Sequence, residues 1–272
     1  MTEVHTHTDG AENQADSDRY NVPALERGLN ILSCFGMGSE ELGAPDIARQ
    51  LSLPRSTVFR LLSTLENMGF LERVGNNYRL GLAVLRLGYD YLATQGIARI
   101  AQPILKELCS QLGFTCNLAL RDGASIVYVA RVTPPIAFSG TVRVGTRLPA
   151  HSTVLGRVLM QDMDEAILRK VFGGFELQQF STKTPKSVAQ LSKLIEQDRL
   201  HGYAVGEGFY ELGVSGIAAP VRDANGSIAA GLGVAIPFQE IEPESMTNWG
   251  QQVLQAASAL SELLKAQQPA PG

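Results

Sequence analysis

Three short helical patterns and a hairpin occupy the first third of this 272-residue chain, and they constrain its fold more than any other feature. In each pattern apolar residues recur at helical spacing, and glycine or proline separates one pattern from the next. This predicts a small helical core. Its predicted inward positions are Leu25, Leu29, Leu32 and Phe35 in the first helix, Ile47, Ala48 and Leu51 in the second, and Val58, Leu61, Leu62, Leu65 and Met68 in the third.

The second and third helices are joined by the tight turn Ser52-Leu53-Pro54-Arg55, and a hairpin with the polar tip Gly75-Asn76-Asn77 follows them. This order of elements is typical of a winged helix-turn-helix, in which the third helix enters the major groove of DNA. A small helical domain with a solvated charged face is the alternative that the pattern alone leaves open.

The third helix leaves cationic and polar side chains outside its apolar stripe, and several of them lie at its N-terminus. Base contacts usually arise there, and the free N–H groups of a helix N-terminus also favour phosphate. Arginine contacts guanine or phosphate through two parallel hydrogen bonds, and the hairpin offers further groups to the DNA backbone or minor groove. The candidate DNA-binding residues are Arg27, Arg55, Ser56, Thr57, Phe59, Arg60, Ser63, Arg73, Asn76 and Asn77, with Arg79 as a further hairpin residue.

The distribution of charge matters more here than the formal net charge of −4. Residues 1–18 carry five acids and no Lys or Arg, whereas residues 19–86 carry eight Arg, no Lys and six acids. The basic excess therefore lies in the predicted DNA-binding region and consists of arginine alone. Arginine is the side chain best suited to paired contacts with phosphate and guanine.

The sequence pattern changes after Gly113, where runs of residues that favour β-strands replace the short helical patterns. Two pairs of runs flank the turn signals Arg121-Asp122-Gly123-Ala124 and Asp223-Ala224-Asn225-Gly226, which predicts two hairpins. The predicted strands are 114–120, 126–132, 137–144, 214–222 and 228–236. The predicted helices are 82–94, 97–112, 152–161, 164–172, 187–201 and a C-terminal helix with the stripe Trp249, Val253, Ala256, Leu260 and Leu263.

The composition, with 44% hydrophobic and 18% charged residues, fits an ordinary folded protein. No window approaches the roughly 18 apolar residues of a membrane helix, and the N-terminus is unlike a signal peptide. A cytoplasmic protein without membrane contact is therefore expected. Cys34, Cys109 and Cys116 lie in apolar runs without CxxC spacing, so we predict no disulfide framework, no metal site and no cofactor.

Two other function classes compete with the DNA-binding interpretation. The adjacent pair His151-Ser152 suggests a hydrolase, but the chain has no Gly-x-Ser-x-Gly elbow, no glycine-rich phosphate loop and no metal motif. Side chains adjacent in sequence are also poor evidence for a nucleophile and its base, whose contact is built in space. The chain is therefore predicted not to be an enzyme. A small-molecule-binding module without sequence-specific DNA binding is the second alternative.

Residues 22–266 resemble the IclR-type transcriptional regulators, in several segments that follow the family's order. These segments are PALERGL (23–29), LPRSTVFRLL (53–62), LENMGFL (65–71), YRLG (78–81), 145–156 and 213–221. Two more, VYVARV (127–132) and VRVGTRLP (142–149), are most similar to the branch that controls aromatic-acid catabolism, the PobR, PcaU and PcaR type.

The resemblance implies an α+β protein with an N-terminal winged helix-turn-helix, a linker helix and a C-terminal GAF-like effector-binding domain. It also implies homodimers or homotetramers that bind a double-stranded DNA operator, and a small carboxylate effector, aromatic in the branch named above. The linker stripe Leu82, Leu85, Tyr89 and Leu92 either pairs between protomers or packs on its own domain. The expected divisions are a disordered tail at 1–20, the DNA-binding domain at 21–81, the linker helix at 82–96, the effector-binding domain at 97–266 and a tail at 267–272.

In this family the ligand lies against the sheet, under the segment that matches 148–156. By resemblance, the pocket positions are Leu148, Val154, Leu155, Gly206, Val214, Gly216, Gly233 and Ala235. Hydrogen-bonding groups at the predicted helix start and nearby cations suit a carboxylate; these are His151, Ser152, Thr153, Arg131, Arg143 and Arg147. The alternatives are that Arg143 and Arg147 are surface residues, that Ser152 is only a helix cap, and that Val154, Leu155 and Val214 are core.

The sequence departs from the family after Gly202-Tyr203, where other members commonly carry acids. Gly206 and Phe209 stand at two of those acidic positions. Fewer acids, extra room and nearby aromatic rings suit a bulkier and aromatic ligand, and they argue against ligand contacts copied from members that bind small oxo acids.

Overall fold

The computed structural model describes residues 21–36, 39–87, 96–135, 142–173, 176–211, 213–237 and 243–267. The chain separates into two compact units, Met1–Tyr91 and Leu92–Gly272. The first unit combines helices with a small sheet, and the second combines helices with a six-stranded antiparallel sheet, in agreement with the predicted α+β class. The predicted tail at 1–20 and all but the first residue of the predicted tail at 267–272 lie outside the described residues.

The first unit contains the predicted three helices and hairpin, because the glycine and proline signals end each helix where the sequence indicated. Its strands form an antiparallel sheet in the order β1-β3-β2. The chain continues as helix over 83–87, and the remaining predicted linker positions, 88–95, lie outside the described residues. The elements are α1 (Pro23–Ser33), β1 (Leu42–Gly43), α2 (Ala44–Gln50), α3 (Arg55–Asn67), β2 (Leu71–Val74) and β3 (Asn77–Leu80).

The core of the first unit corrects part of the predicted helical stripes. Leu25 and Leu29 are exposed, whereas Phe35 is buried and Leu32 is half-buried, in line with the prediction. The residues that α1 itself buries are Gly28 and Ile31. The apolar arc of α1 is wider than the surface that α3 covers, so packing rather than spacing decides which side is buried. In α3, Val58 and Leu62 are buried as predicted, Leu61 and Leu65 are half-buried, and Met68 at the helix end is exposed.

The second unit is built on a sheet with the strand order β6-β5-β4-β9-β8-β7. Both predicted hairpins are present, β4–β5 and β8–β9, and all adjacent strands are antiparallel. The elements are α4 (Gly96–Leu112), β4 (Thr115–Asp122), β5 (Ser125–Val132), β6 (Arg147–Pro149), a 3-10 turn (Ala150–Ser152), α5 (Val154–Leu159), α6 (Glu165–Phe172), α7 (Val188–His201), β7 (Ala204–Glu207), β8 (Val214–Arg222), β9 (Ile228–Pro237) and α8 (Pro243–Gln267).

Each face of this sheet has its own hydrophobic core, because successive side chains of a strand point to opposite faces. On one face, α4 and α8 cover residues such as Leu118 and Leu232. On the other face, α5, α6 and α7 enclose a second core with Ala119 and Ala218. No helix within the described ranges has both the length and the apolar character required to cross a bilayer.

Three predictions in the second unit need correction. The helix predicted from 152 starts at Val154, because a 3-10 turn takes the residues before it. The strand predicted over 137–144 is not formed by 142–144, and its residues 137–141 lie outside the described part of the chain. In α8, Val253 and Leu260 are buried as predicted, but Leu263 is exposed. The short strands β6 and β7 were not predicted, since three or four residues carry too little periodicity.

Candidate functional site

The N-terminus of α3 is a solvent-exposed, electropositive end. Pro54 caps the helix with its carbonyl, which accepts hydrogen bonds from the N–H groups of Thr57 and Val58 at 3.0 and 3.1 Å. The first turn contains no acidic side chain, so nothing there offsets the positive end of the helix dipole. The N–H groups of Arg55 and Ser56 precede these bonds and are available to an anion.

The exposed side of α3 carries the predicted recognition residues. Positions 55, 56, 59, 60 and 63 follow helical spacing and all of them are exposed, while Thr57 is half-buried. Phe59 is 55% exposed, which is unusual for an aromatic side chain that has no partner surface. The buried residues Val58 and Leu62 anchor the opposite side of the helix to the core.

Arginines in this unit differ in whether they already form an ion pair with an acidic side chain. Arg49 pairs with Asp46 at 3.0 Å, and Arg79 pairs with Glu72 at 2.9 Å. The side chains of the candidate residues Arg27, Arg55 and Arg60 make no hydrogen bond or ion pair with any residue that the structure describes. Their guanidinium groups therefore remain available to a phosphate or a base edge. The guanidinium group of Arg79 is less available, because it is already paired with Glu72.

The β2–β3 hairpin presents its tip to solvent. Gly75 adopts a left-handed backbone with φ of +61° in the turn, and the Arg73 side chain donates from Nε to its carbonyl at 3.2 Å. Asn76 is exposed at the tip, whereas Asn77 is half-buried as the first residue of β3, opposite Val74. Of the two asparagines predicted to contact DNA, Asn76 is the more accessible.

The second unit contains a cavity of about 220 Å³ between the sheet and the start of α5. Its lining is mostly apolar, with polar side chains from β4, β5 and β8, from the segment just before α5, and from Glu211. It is formed by Gly113, Phe114, Thr115, Asn117, Tyr128, Arg131, Pro134, Val142, Leu148, Ser152, Thr153, Val154, Leu155, Gly206, Phe209, Tyr210, Glu211, Val214, Ser215, Gly216, Val234, Ala235 and Pro237.

A row of small residues on four neighbouring strands forms the floor of this cavity. Thr115 pairs with Ala235, Ala235 with Gly216, and Gly216 with Gly206. A Cβ atom at Gly206 or Gly216 would lie 2.7 or 2.8 Å from the side chain of Val154. The two glycines therefore let α5 approach the sheet closely while the space beside it stays open.

The polar side of the cavity is formed by β4 and β5. Arg131 donates from Nη1 to the carbonyl of Val142 and from Nε to the hydroxyl of Thr133 at 3.3 Å. Partial burial lowers the pKa of Arg131, and the guanidinium remains a cation near neutral pH. Burial raises the pKa of Tyr128 to about 12, so its phenol stays neutral. This side of the cavity can therefore neutralise one anionic group.

The hydroxyl groups at the start of α5 already have partners. Ser152 donates to the carbonyl of Pro149 at 2.9 Å, and the Thr153 hydroxyl accepts from the N–H of Gly156 at 2.9 Å. Thr153 is thus the helix cap, and Ser152 holds the 3-10 turn before it. Both residues line the cavity as well, so capping and a contact with a ligand are compatible.

Most of the predicted effector-binding residues come together around the cavity, and four do not. The residues that line it are Leu148, Ser152, Thr153, Val154, Leu155, Gly206, Val214, Gly216, Ala235 and Arg131. The four outside the lining are His151, Gly233, Arg143 and Arg147. The His151 ring contacts the carbonyl of Gln178 at 2.8 Å and packs against Phe172, Gly233 faces Leu155 and Ala218, and Arg143 is exposed to solvent. Arg147 pairs with Asp122 at the surface.

Sequence reasoning missed two features near the cavity. Asn117 is buried in the lining, and the signal for it was an amide in the middle of the apolar run 114–120. The second is Arg157 on α5, which binds both carboxylate oxygens of Asp198 at 2.7 and 2.8 Å and lies 5.0 Å from the ring centre of Phe209. These partners are 41 and 52 positions away from Arg157, so no local pattern indicates them.

Comparison with known proteins assigns both units. The family model described as the IclR helix-turn-helix domain matches residues 24–75, and the model described as the C-terminal domain of the bacterial transcriptional regulator IclR matches residues 89–262. The described residues contain no cluster of three or more His, Cys, Asp or Glu side chains that could hold a metal ion.

Relatives cover nearly the whole chain. The Pca regulon regulatory protein of Pseudomonas putida is 33% identical, over 87% of this chain and 82% of its own length. The HTH-type transcriptional regulator XynR of Escherichia coli is 31% identical, over 89% of this chain and 97% of its own.

A solved IclR homologue from Microbacterium hydrocarbonoxydans, complexed with 4-hydroxybenzoate, has the same fold, with a TM-score of 0.75 at 23% identity over 88% of this chain and 99% of its own. The matched families and relatives are transcriptional regulators and not enzymes. The two family models together span most of the described chain. This protein therefore belongs to the IclR family of bacterial transcriptional regulators and carries its helix-turn-helix DNA-binding domain.

Proposed function

We propose that this regulator binds an operator through α3 and the β2–β3 hairpin, and that a small carboxylate in the cavity controls its affinity for that operator. One observation carries the proposal: Arg55 and Arg60 lie exposed on α3 without a side-chain partner among the described residues, and the other unit of the same chain contains a cavity lined by Arg131. A small-molecule-binding module that lacks DNA binding would have no use for the first of these features.

The DNA-binding residues in this proposal are those predicted from the sequence. Arg55 and Arg60 read base edges or hold phosphates from the exposed side of α3, and Arg27 on α1 adds a further cation. The hairpin contacts the backbone or the minor groove through Arg73 and Asn76. Ser56, Thr57, Phe59, Ser63 and Asn77 complete the surface.

The cavity supports an acid with a single aromatic ring. A cavity of about 150 Å³ is large enough for benzene, so the larger volume here leaves room for one ring and its polar substituents. Phe209 and Tyr210 supply apolar contact area, and Arg131 supplies a partner for the carboxylate. The ten predicted residues that line the cavity form the contact set. The homologue in complex with 4-hydroxybenzoate makes hydroxybenzoates natural first ligands to test.

Control of the operator follows from thermodynamic linkage. An acid that binds one arrangement of the effector-binding domains more tightly than another shifts the protein toward it, and operator affinity changes by the same coupling free energy. We place the DNA-binding domain at 21–81, the effector-binding domain at 97–266 and the lever between them at 82–96. Such a regulator acts on cytoplasmic DNA without membrane contact.

Exposed apolar side chains in the first unit support a homodimer, which can pair further into a tetramer. Leu25 and Leu29 on α1 are 63% and 54% exposed, and Leu82 and Leu85 are 79% and 67% exposed. The members of each pair are four or three positions apart, and an exposed apolar patch of neighbouring side chains is typical of an interaction surface. A second copy that covers them would also set the spacing of two operator half-sites.

The proposal is tested by operator binding at several salt concentrations, with and without candidate acids. Neutralised phosphates make the logarithm of the association constant fall linearly with the logarithm of salt concentration, with a slope of roughly −0.9 per phosphate on duplex DNA. A screen of thermal stability identifies the acid, because a ligand bound to the native state raises stability by mass action. A protein that retains no promoter fragment at moderate ionic strength, with or without acids, contradicts the proposal.

A further inference from the structure

Among the described residues that line the cavity, Asn117 is the one with a fully buried side-chain polar atom that has no hydrogen-bond partner. The residue is 4% exposed, and its Oδ1 atom has no hydrogen-bond partner among the described residues. Two other buried polar atoms in the described chain lack partners, on His151 and Gln161, and neither of these residues lines the cavity. Buried polar atoms in folded proteins are nearly always satisfied, so an unpaired one on a residue that lines a cavity points to a ligand.

The neighbours of Asn117 explain why the protein itself leaves this amide unpaired. On one side it pairs with Gly233 of β9, which has no side chain. On the other side it pairs with Arg131 of β5, whose guanidinium donates to the carbonyl of Val142 and the hydroxyl of Thr133. The hydroxyl groups of Thr115 and Tyr128, also in the lining, make no hydrogen bond to it.

We infer that Asn117 is a specificity-determining residue that accepts a hydrogen bond from a hydroxyl group of the effector. This inference rests on the proposed function, in which Arg131 binds the carboxylate of the same molecule. A carboxylate has no hydrogen to donate, so it cannot satisfy the Oδ1 atom of Asn117. An effector that satisfies this atom therefore carries a donor in addition to its acid group.

The position of Arg131 decides which donor fits. Directly opposite residues on antiparallel strands have Cβ atoms roughly 4.5–5.5 Å apart, so the cation lies close to the amide. An ammonium group would be repelled there, whereas a neutral hydroxyl would not. The ligand class is a hydroxylated carboxylic acid, in which the hydroxyl belongs either to an aromatic ring or to the carbon chain of a sugar acid.

The test measures the affinity of the full-length protein for matched acids by calorimetry. The probes are benzoate, its 2-, 3- and 4-hydroxy derivatives, the corresponding fluorobenzoates and gluconate. Fluorine adds bulk but donates no hydrogen bond, so it isolates the donor. We expect at least one hydroxylated acid to bind about tenfold or more tightly than benzoate and the fluorobenzoates, because those acids leave Oδ1 buried and unpaired. Tight binding of gluconate instead of the hydroxybenzoates identifies the hydroxyl as that of a sugar acid.

The variant Asn117→Leu removes the acceptor at nearly constant volume, and we expect it to lose the preference for the hydroxyl while it still binds the operator. Gln161→Leu is the matched control, because it removes another buried unpaired amide atom outside the cavity, and its preference should equal that of the wild type. The comparison of hydroxyl and fluorine in the wild type stands even where the Asn117 variant does not fold.

Two results overturn the inference while leaving the proposed function intact. One is equal affinity of the wild type for hydroxylated and fluorinated acids. The other is an undiminished hydroxyl preference in folded Asn117→Leu. If none of these acids binds while operator binding persists, the proposed carboxylate effector is itself wrong, and the inference fails with it.

Discussion

The two units of this chain use arginine in opposite ways. In the first unit Arg55 and Arg60 are exposed and have no partner among the described residues. In the second unit Arg157 is 2% exposed, holds both oxygens of Asp198 and donates to the carbonyl of Val205 at 2.7 Å.

An exposed, unpaired guanidinium contributes little to stability and is free to bind a partner. A buried and fully bonded one cannot bind a partner, and it fixes the elements around it. Exposure and existing partners, more than residue type, therefore distinguish an arginine that is available to a binding partner from one that stabilises the fold.

The largest expected effect comes from removing the exposed pair. Arg55→Ala combined with Arg60→Ala should weaken operator binding by about 100-fold or more, since each paired arginine contact is worth roughly 1–3 kcal/mol. Electrophoretic mobility shift or fluorescence anisotropy measures it. The unfolding midpoint and effector affinity should stay unchanged.

Arg169→Ala, which removes an exposed arginine paired with Glu165 in the other unit, is the matched control and should leave operator affinity unaltered. If the double variant retains operator affinity, the assignment of α3 as the recognition helix is wrong.

The buried pair gives the next largest effect, on stability instead of DNA binding. Asp198→Ala leaves Arg157 buried without its counter-ion, which typically costs about 3–5 kcal/mol. Urea unfolding followed by circular dichroism should show this loss in the second unit.

The exposed ion pair of Asp162 and Arg222 provides the control, and Asp162→Ala should cost less than about 1 kcal/mol. Equal losses in the two variants would remove the contrast between buried and exposed arginines.

Filling the cavity should separate ligand binding from DNA binding. Ala235→Leu adds bulk at the floor of the cavity, so we expect affinity for the effector to fall by about tenfold or more. The affinity for the operator in the absence of effector should stay the same. Ala224→Leu, in the exposed β8–β9 turn, serves as the control. An unaltered effector titration in Ala235→Leu would refute the cavity as the effector site.

The smallest expected effect is a dependence of stability on pH that originates at His151. Burial lowers the pKa of His151, so the unfolded chain binds a proton more readily than the folded protein does. The contribution of His151 to the free energy of unfolding is complete above about pH 6.5, the ordinary pKa of histidine, and it is lost as the pH falls below that value.

His151→Phe should flatten the fall in melting temperature between about pH 7.5 and 5.5. Identical pH profiles for the wild type and His151→Phe would show that burial of His151 does not control this transition.

The sequence predicted those parts of the fold that depend on local chemistry. The turns at Gly75 and Gly226 have left-handed backbones that glycine allows, and the hairpins around them formed as expected. The buried side of α1 could not be predicted, because both apolar stripes of that helix satisfy helical spacing. The bonding of Arg157 to Asp198 depends on elements that only the folded chain brings together.

The candidate sites show the same difference between features that local sequence predicts and features that depend on long-range contacts. The exposed side of α3 followed from helical spacing, and most of the cavity lining followed from the family resemblance. Asn117 was missed because alternation along a strand says which residues point inward but not which of them will lack a partner.

The floor of the cavity has a consequence for how this scaffold can acquire new ligands. The absence of side chains at Gly206 and Gly216 lets Val154 of α5 lie against the sheet, so a methyl group at either position would collide with Val154. A larger residue at either glycine therefore requires Val154 to move or to become smaller. Ligand selectivity in this protein should therefore change through paired substitutions, one on the sheet and one on the facing helix.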